Sequence, residues 1–197
     1  HAYALRLFIP GLRERHRLEV MVGPRGYWNE LQAYQLNTLQ KNGLMPFHSL
    51  LDIGCGPLQG GIAFIQYLET SNYVGVDNNP NNLAAGNRQI EKLGLGEKKP
   101  QLIFSQDFGR EKLDDRRFDF LWASQIIYYF DESVLKQLFK VVASQMKPEG
   151  KFLVDIVGEC PPEYRTANHI KWMNQVNLHS LESLSAIAQP FGLQARS

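Results

Sequence analysis

A chain of 197 residues with 44% hydrophobic and 21% charged residues has the size and make-up of one ordinary soluble globular domain with a real core. Its formal net charge of +1 gives no electrostatic case for nucleic acid or an anionic membrane. Apolar runs fall short of the roughly 20 residues that span a bilayer. There is no signal-peptide layout, and two cysteines, Cys55 and Cys160, make neither a disulfide framework nor a zinc site. A reducing, cytoplasmic setting is expected, with a domain boundary near His1, where the chain opens on a residue other than methionine.

Residues 1–26 carry Arg6, Arg13, Arg15, Arg17 and Arg25 against Glu14 and Glu19, punctuated by Pro10-Gly11 and Gly23-Pro24. They read first as a solvated basic helix or arm. A lid over a ligand, a dimer contact and a phosphate-binding arm are the other readings. From Tyr27 to Gln40, Trp28, Leu31, Leu36 and Leu39 share one side of a helical wheel, and Asn42-Gly43 ends that helix. Residues 1–46 are assigned as an N-terminal helical arm or lid, and 47–197 as the main domain.

Leu50-Leu51-Asp52-Ile53 reads as the end of a buried strand, followed by the turn Gly54-Cys55-Gly56-Pro57-Leu58-Gln59-Gly60-Gly61 and a helix over Ile62–Leu68. Tyr73-Val74-Gly75-Val76-Asp77 makes a second apolar strand ending in an acid. This βαβ unit suits a nucleoside: glycines let backbone approach a ligand, and a carboxylate at a strand tip accepts from ribose hydroxyls.

Pro80 to Leu93 predicts a helix, with Leu83, Asn87, Ile90 and Leu93 on one face. Gln101–Phe104 and Phe118–Ala123 predict the third and fourth strands, joined by a charged connection over Arg110–Arg117. Asp131-Glu132-Ser133 opens a helix buried through Leu135, Leu138, Phe139, Val142 and Met146. Lys147-Pro148-Glu149-Gly150 stops it, and Lys151–Val157 is the fifth strand. Residues 164–176 read as a partly helical insertion, Ser180–Gln189 as a capped helix, and Gly192–Ala195 as the start of a sixth strand. Alternation at this spacing predicts a Rossmann-like α/β fold, a doubly wound, mostly parallel sheet with helices on both faces.

A glycine-rich turn alone is weak evidence, and this one departs from G-x-G-x-x-G because Gln59 takes the third slot. The surrounding set is specific: Asp52 inside the strand end, Asp77 ending the second strand, and Asp107 after the third. With Leu50–Gly56, Tyr73–Asp77, Gln106-Asp107-Phe108, Phe118–Ser124 and Lys147–Lys151, the chain resembles the class I S-adenosylmethionine-dependent methyltransferases of small-molecule type, over about Phe47 to Val157. Asp77-Asn78-Asn79-Pro80-Asn81 mimics a calcium loop. Asn82 and Arg88 stand where that loop needs glycine and an acid, so the calcium reading fails, and no metal is expected.

The resemblance implies S-adenosylmethionine as cofactor. Gly54, Cys55 and Gly56 would lie along its methionine part, Asp52 would help hold its amino group, and Asp77 with Asn78 would meet the ribose. Gln106, Asp107 and Phe108 would face the adenine. Ser124 backbone would face the amino group, with Gln125 and Ile126 near the reacting methyl. Tyr27 or Arg25 could meet the methionine carboxylate. For the acceptor side, His169 is the first candidate base and His179 the second. Tyr129 stands where many relatives carry a histidine, and it or Tyr128 would wall the substrate pocket.

The expected function is methyl transfer to an oxygen or nitrogen of a small metabolite or natural product, with no nucleic-acid or membrane partner and with a homodimer among the open assemblies. A nucleic-acid or protein methyltransferase and a non-catalytic cofactor-binding module are the rivals. A nicotinamide enzyme is the weakest, because Asp107 and the Asp52-Gly54 pairing have no task in it. The family template has seven strands and a closing antiparallel hairpin, so that hairpin is expected to be incomplete here.

Overall fold

The computed structural model describes residues 10–22, 26–113, 115–156 and 176–195. The described chain forms helices α1 (Pro10–Val22), α2 (Trp28–Lys41), α3 (Gly61–Tyr67), α4 (Pro80–Lys92), α5 (Glu132–Gln145) and α6 (Leu181–Ala188). The strands are β1 (Leu50–Ile53), β2 (Tyr73–Asp77), β3 (Gln101–Phe104), β4 (Phe118–Ala123) and β5 (Met146–Val154). They make one sheet in the order β3-β2-β1-β4-β5, and every pairing is parallel.

The strand side chains divide between two cores, as a sheet covered on both faces requires. Leu51, Ile53, Val74, Val76, Leu121 and Ala123 pack with Leu135, Leu138 and Val142 of α5 and Leu184 of α6. Leu50, Tyr73, Phe120 and Trp122 point the other way, onto Leu39 of α2, Ile62 and Phe64 of α3, and Leu83 and Ile90 of α4. Asn79 caps α4 by accepting from the Asn81 amide, with Pro80 in the first turn. Asp131 caps α5 by accepting from Val134, and Ser180 caps α6 by accepting from Ser183.

Four details differ from the sequence reading. The buried face of α4 runs through Leu83, Ala85, Gly86, Gln89 and Ile90, whereas Asn87 and Leu93 are exposed. Glycine at 86 lets that face of the helix sit close to Leu58. Strand β5 starts at Met146, not Lys151, because Lys147–Gly150 is taken up as a bulge: Phe118 pairs with Met146 while Phe120 pairs with Lys151. Pro148 is tolerated there since it lies in the bulge, and β5 is an edge of the sheet among the described residues. The strand ends at Val154, three residues before the expected end. Residues 193–195 run irregularly after the turn at Gly192, so the sixth strand expected there does not form in the described chain.

Helix α2 lies within the main body, with Leu39 and the following Leu44 in the core below the sheet. Trp28 packs with Leu18 and Val22 of α1 and Ala85 of α4, and the Arg15 guanidinium lies 5.1 Å from the Trp28 ring centre. Among the described residues no helix is long and apolar enough to cross a membrane.

Candidate functional site

The turn after β1 is shaped by its backbone. Gly54 and Gly56 have φ of +74° and +56°, in the region where a side chain is strained. A Cβ on Gly54 would lie 2.8 Å from Ile126, and one on Gly56 would lie 3.0 Å from Val22. Gly60 serves a different contact: its Cβ would stand 2.2 Å from Gln35 of α2. Gln35 Oε1 accepts from Trp122 Nε1 at 3.1 Å, and its Nε2 lies 3.4 Å from Gln59 Oε1. The Gln59 carbonyl also accepts from Gln32 Nε2 at 2.9 Å. The residue that broke the glycine pattern therefore ties the turn to α2.

Asp77, at the tip of β2, is nearly buried and holds the same turn from the other side. Its Oδ2 accepts from the Gly56 amide at 2.9 Å, while Oδ1 accepts from the Asn79 amide at 2.8 Å and Asn82 Nδ2 at 3.1 Å. Three of the roughly four acceptor positions of a carboxylate are thereby filled. Asp52 is buried beneath the turn, and Tyr73 Oη donates to its Oδ2 at 2.7 Å. Burial raises its pKa to about 7. The Tyr73 hydrogen bond pulls the other way, and the Asp77 charge adds a smaller upward push. Burial also raises the pKa of the Cys55 thiol, which lies in the same group.

A cleft of about 980 Å³ opens along the carboxyl ends of β1, β2 and β4, where ligands bind in open α/β sheets. Asp52, Gly54, Cys55, Gly56, Asp77, Asn78, Gln106, Phe108, Ser124, Gln125 and Tyr129 all line it. Tyr27 does not: it is 58% exposed and outside the lining. Asp107 is also outside, its carboxylate turned into its own loop, where it accepts from Ser105 Oγ and from the Glu111 amide at 3.3 Å. Ser105 and Phe108, the latter at φ +60°, face the cleft instead. His179 lies away from the lining, its Nε2 2.9 Å from the Phe130 carbonyl. His169, Arg25 and Cys160 lie outside the described residues.

Several residues of the site escaped the sequence reading. Val20, Met21 and Val22 at the end of α1 line the cleft, as do Gln35 and Gln59. An amide on the apolar side of an amphipathic helix was the available signal for Gln35. Asp155, just past β5, accepts from Ser124 Oγ and from the Gln125 amide at 2.6 Å, holding Gln125 at φ +58°. Nothing in the sequence marked that carboxylate apart from others at strand ends. The Tyr128 and Tyr129 ring centres lie 4.6 Å apart with planes tilted by 60°, and burial raises the Tyr128 pKa, so its hydroxyl stays protonated at neutral pH. Among the described residues no cluster of side chains could hold a metal ion.

Residues 50–150 match the model of the family described as methyltransferase domain, which is just over half of the chain. The chain belongs to that family. Solved structures agree with this methyltransferase fold. Magnesium protoporphyrin IX methyltransferase from Synechocystis, solved with S-adenosylmethionine, superposes with a TM-score of 0.64 at 13% identity, over 94% of this chain and 82% of that one. The YcgJ protein of Bacillus subtilis gives 0.62 at 20% identity, over 81% and 68%. An S-adenosylmethionine-dependent methyltransferase from Clostridium acetobutylicum gives 0.53 at 22% identity, over 64% and 49%, so the methyltransferase-family chain described here spans about half of that protein. At these identities the likeness is one of fold. No curated protein matches the chain.

Proposed function

We propose that this domain is an S-adenosylmethionine-dependent methyltransferase acting on an oxygen or nitrogen of a small molecule. The observation that carries the reading is the pair of carboxylates, Asp52 and Asp77, flanking a glycine turn inside one cleft of a chain whose family is the methyltransferase domain. The donor set fits the cofactor. Asp77 retains acceptor capacity for a ribose hydroxyl, Asp52 offers a carboxylate for an ammonium group, and Phe108 and Ile126 supply apolar surface. Bound there, S-adenosylmethionine would supply an electrophilic sulfonium methyl, and the protein would supply orientation.

The lining supports a small, partly apolar acceptor. Ile126, Tyr128, Tyr129, Phe130 and Val134 make an apolar and aromatic wall, and the described lining contains no Lys, Arg or His. A neutral, partly apolar acceptor suits it better than a polyanion, which argues against nucleic acid. Tyr128, its pKa raised by burial and by its neighbour Tyr129, suits a wall of the acceptor pocket rather than proton removal. His169 is the proposed base. The test is transfer of a labelled methyl from S-adenosylmethionine to a panel of phenols, alcohols and amines. Label in a phenol or amine, lost in Asp77→Ala and reduced about 100-fold in His169→Ala, supports the reading. Label in nucleic acid or protein but in no small acceptor would reverse it.

A further inference from the structure

Tyr73, Gly75 and Gly61 of the βαβ unit meet at one hydroxyl. The structure gives them one common task. Gly75 stands beside Asp52 on the neighbouring strand, and a Cβ there would lie 3.0 Å from Tyr73 Oη and 2.8 Å from Cys55 Sγ. A Cβ on Gly61, at the start of α3, would lie 2.5 Å from the same hydroxyl. The Tyr73 phenol thus passes through a slot that two glycines leave open, and its hydroxyl reaches the Asp52 carboxylate at 2.7 Å. Tyr73 and Asp52 are both almost fully buried, yet Asp52 lines the cleft.

We propose that Tyr73 is a positioning residue of the cofactor site, its hydroxyl holding one oxygen of Asp52 so that the carboxylate is presented to the cofactor's ammonium group. This rests on the cofactor reading above. Both glycines clear space at the hydroxyl itself, and phenylalanine would fill the same slot with no buried hydroxyl to satisfy. The hydrogen bond also favours the ionised form of Asp52, against burial. Among the described residues, the titratable groups that face Asp52 are Tyr73 and Asp77 from β2 and Cys55 from the glycine turn, while β4 brings Trp122 and α2 brings Gln35, both uncharged. Receiving an ammonium group requires Asp52 to be ionised. Affinity for an amino-acid-bearing ligand therefore falls as pH drops through about 7, and removing the Tyr73 hydroxyl moves that fall to higher pH.

The test is calorimetric titration between about pH 6 and pH 9 with two probes, S-adenosylhomocysteine and 5′-methylthioadenosine, which keeps the nucleoside but lacks the amino acid end. In the wild-type chain the first probe should bind more tightly as pH rises and then level off, while the second stays flat. Tyr73→Phe should weaken S-adenosylhomocysteine about tenfold near pH 7, shift its rise to higher pH, and leave methylthioadenosine within about twofold. Asp52→Asn should flatten the pH dependence. If Tyr73→Phe follows the wild type at every pH, or weakens both probes alike, the positioning role is wrong while the cofactor reading stands. If the wild-type chain binds neither probe, both fall together.

Discussion

At Asp52 the needs of the empty fold and of the proposed function oppose each other. A buried carboxylate with a pKa raised to about 7 is favourable to folding when protonated. Its contribution is fully present below about pH 4 and is lost as pH rises through about 7. Asp52→Asn should therefore stabilise the ligand-free protein at about pH 8, by roughly 1–4 kcal/mol, because the amide oxygen can still accept from Tyr73 without carrying charge. The same variant should bind S-adenosylhomocysteine more weakly. Chemical denaturation at about pH 5 and pH 8 measures the first effect, and equal stability of variant and wild type at the higher pH would contradict it.

Among the elements, the strands separate stability from the site. The cleft lies at the carboxyl ends of β1, β2 and β4, whereas a polar clasp closes the amino ends of β1, β4 and β5. Ser49 donates to Asp119 Oδ2 from its amide at 2.8 Å and its hydroxyl at 2.7 Å, and Lys147 Nζ donates to the same oxygen at 2.7 Å. Burial acts to raise the Asp119 pKa, but Lys147 and Ser49 outweigh it and hold the carboxyl at about 2. The sign is opposite to that of Asp52: this stabilisation is present above about pH 4 and is lost as pH falls through about 2. Asp119→Ala should cost about 1–2 kcal/mol at neutral pH, chiefly from the Ser49 donors, since the lysine is nearly half exposed and screened by solvent. Its affinity for S-adenosylhomocysteine should match the wild type, and a loss of both would show that the two ends of the sheet are coupled.

For the molecule as a whole, the sheet was legible because its signals are local. Four- to six-residue apolar strands, acids at their tips and glycines in the first turn state the βαβ order directly, and the cleft residues on those turns followed. What escaped is long-range. Gln35 reaches Gln59 and Trp122 from a helix that precedes the first strand, and Asp155 reaches Ser124 and Gln125 from the end of the neighbouring strand, about thirty residues on in the chain. No pattern within a short window encodes such pairs. Asp107 turns away from the lining for the converse reason: a carboxylate near its own serine and amides satisfies itself locally, and no sequence pattern states which way it turns. The bulge in β5 was hidden because Lys-Pro-Glu-Gly reads as a turn whether or not strand pairing resumes at its ends.

The central claim is that the cleft flanked by Asp52 and Asp77 receives S-adenosylmethionine. Calorimetric titration of the full chain with S-adenosylmethionine and S-adenosylhomocysteine, beside Asp77→Ala, tests it most directly. The account predicts saturable one-to-one binding of both, weakened at least about 100-fold in the variant, which loses the ribose acceptor and the hold on the Gly56 amide together. A folded wild-type chain that binds neither compound, or an Asp77→Ala variant that binds them as tightly as wild type, would contradict it.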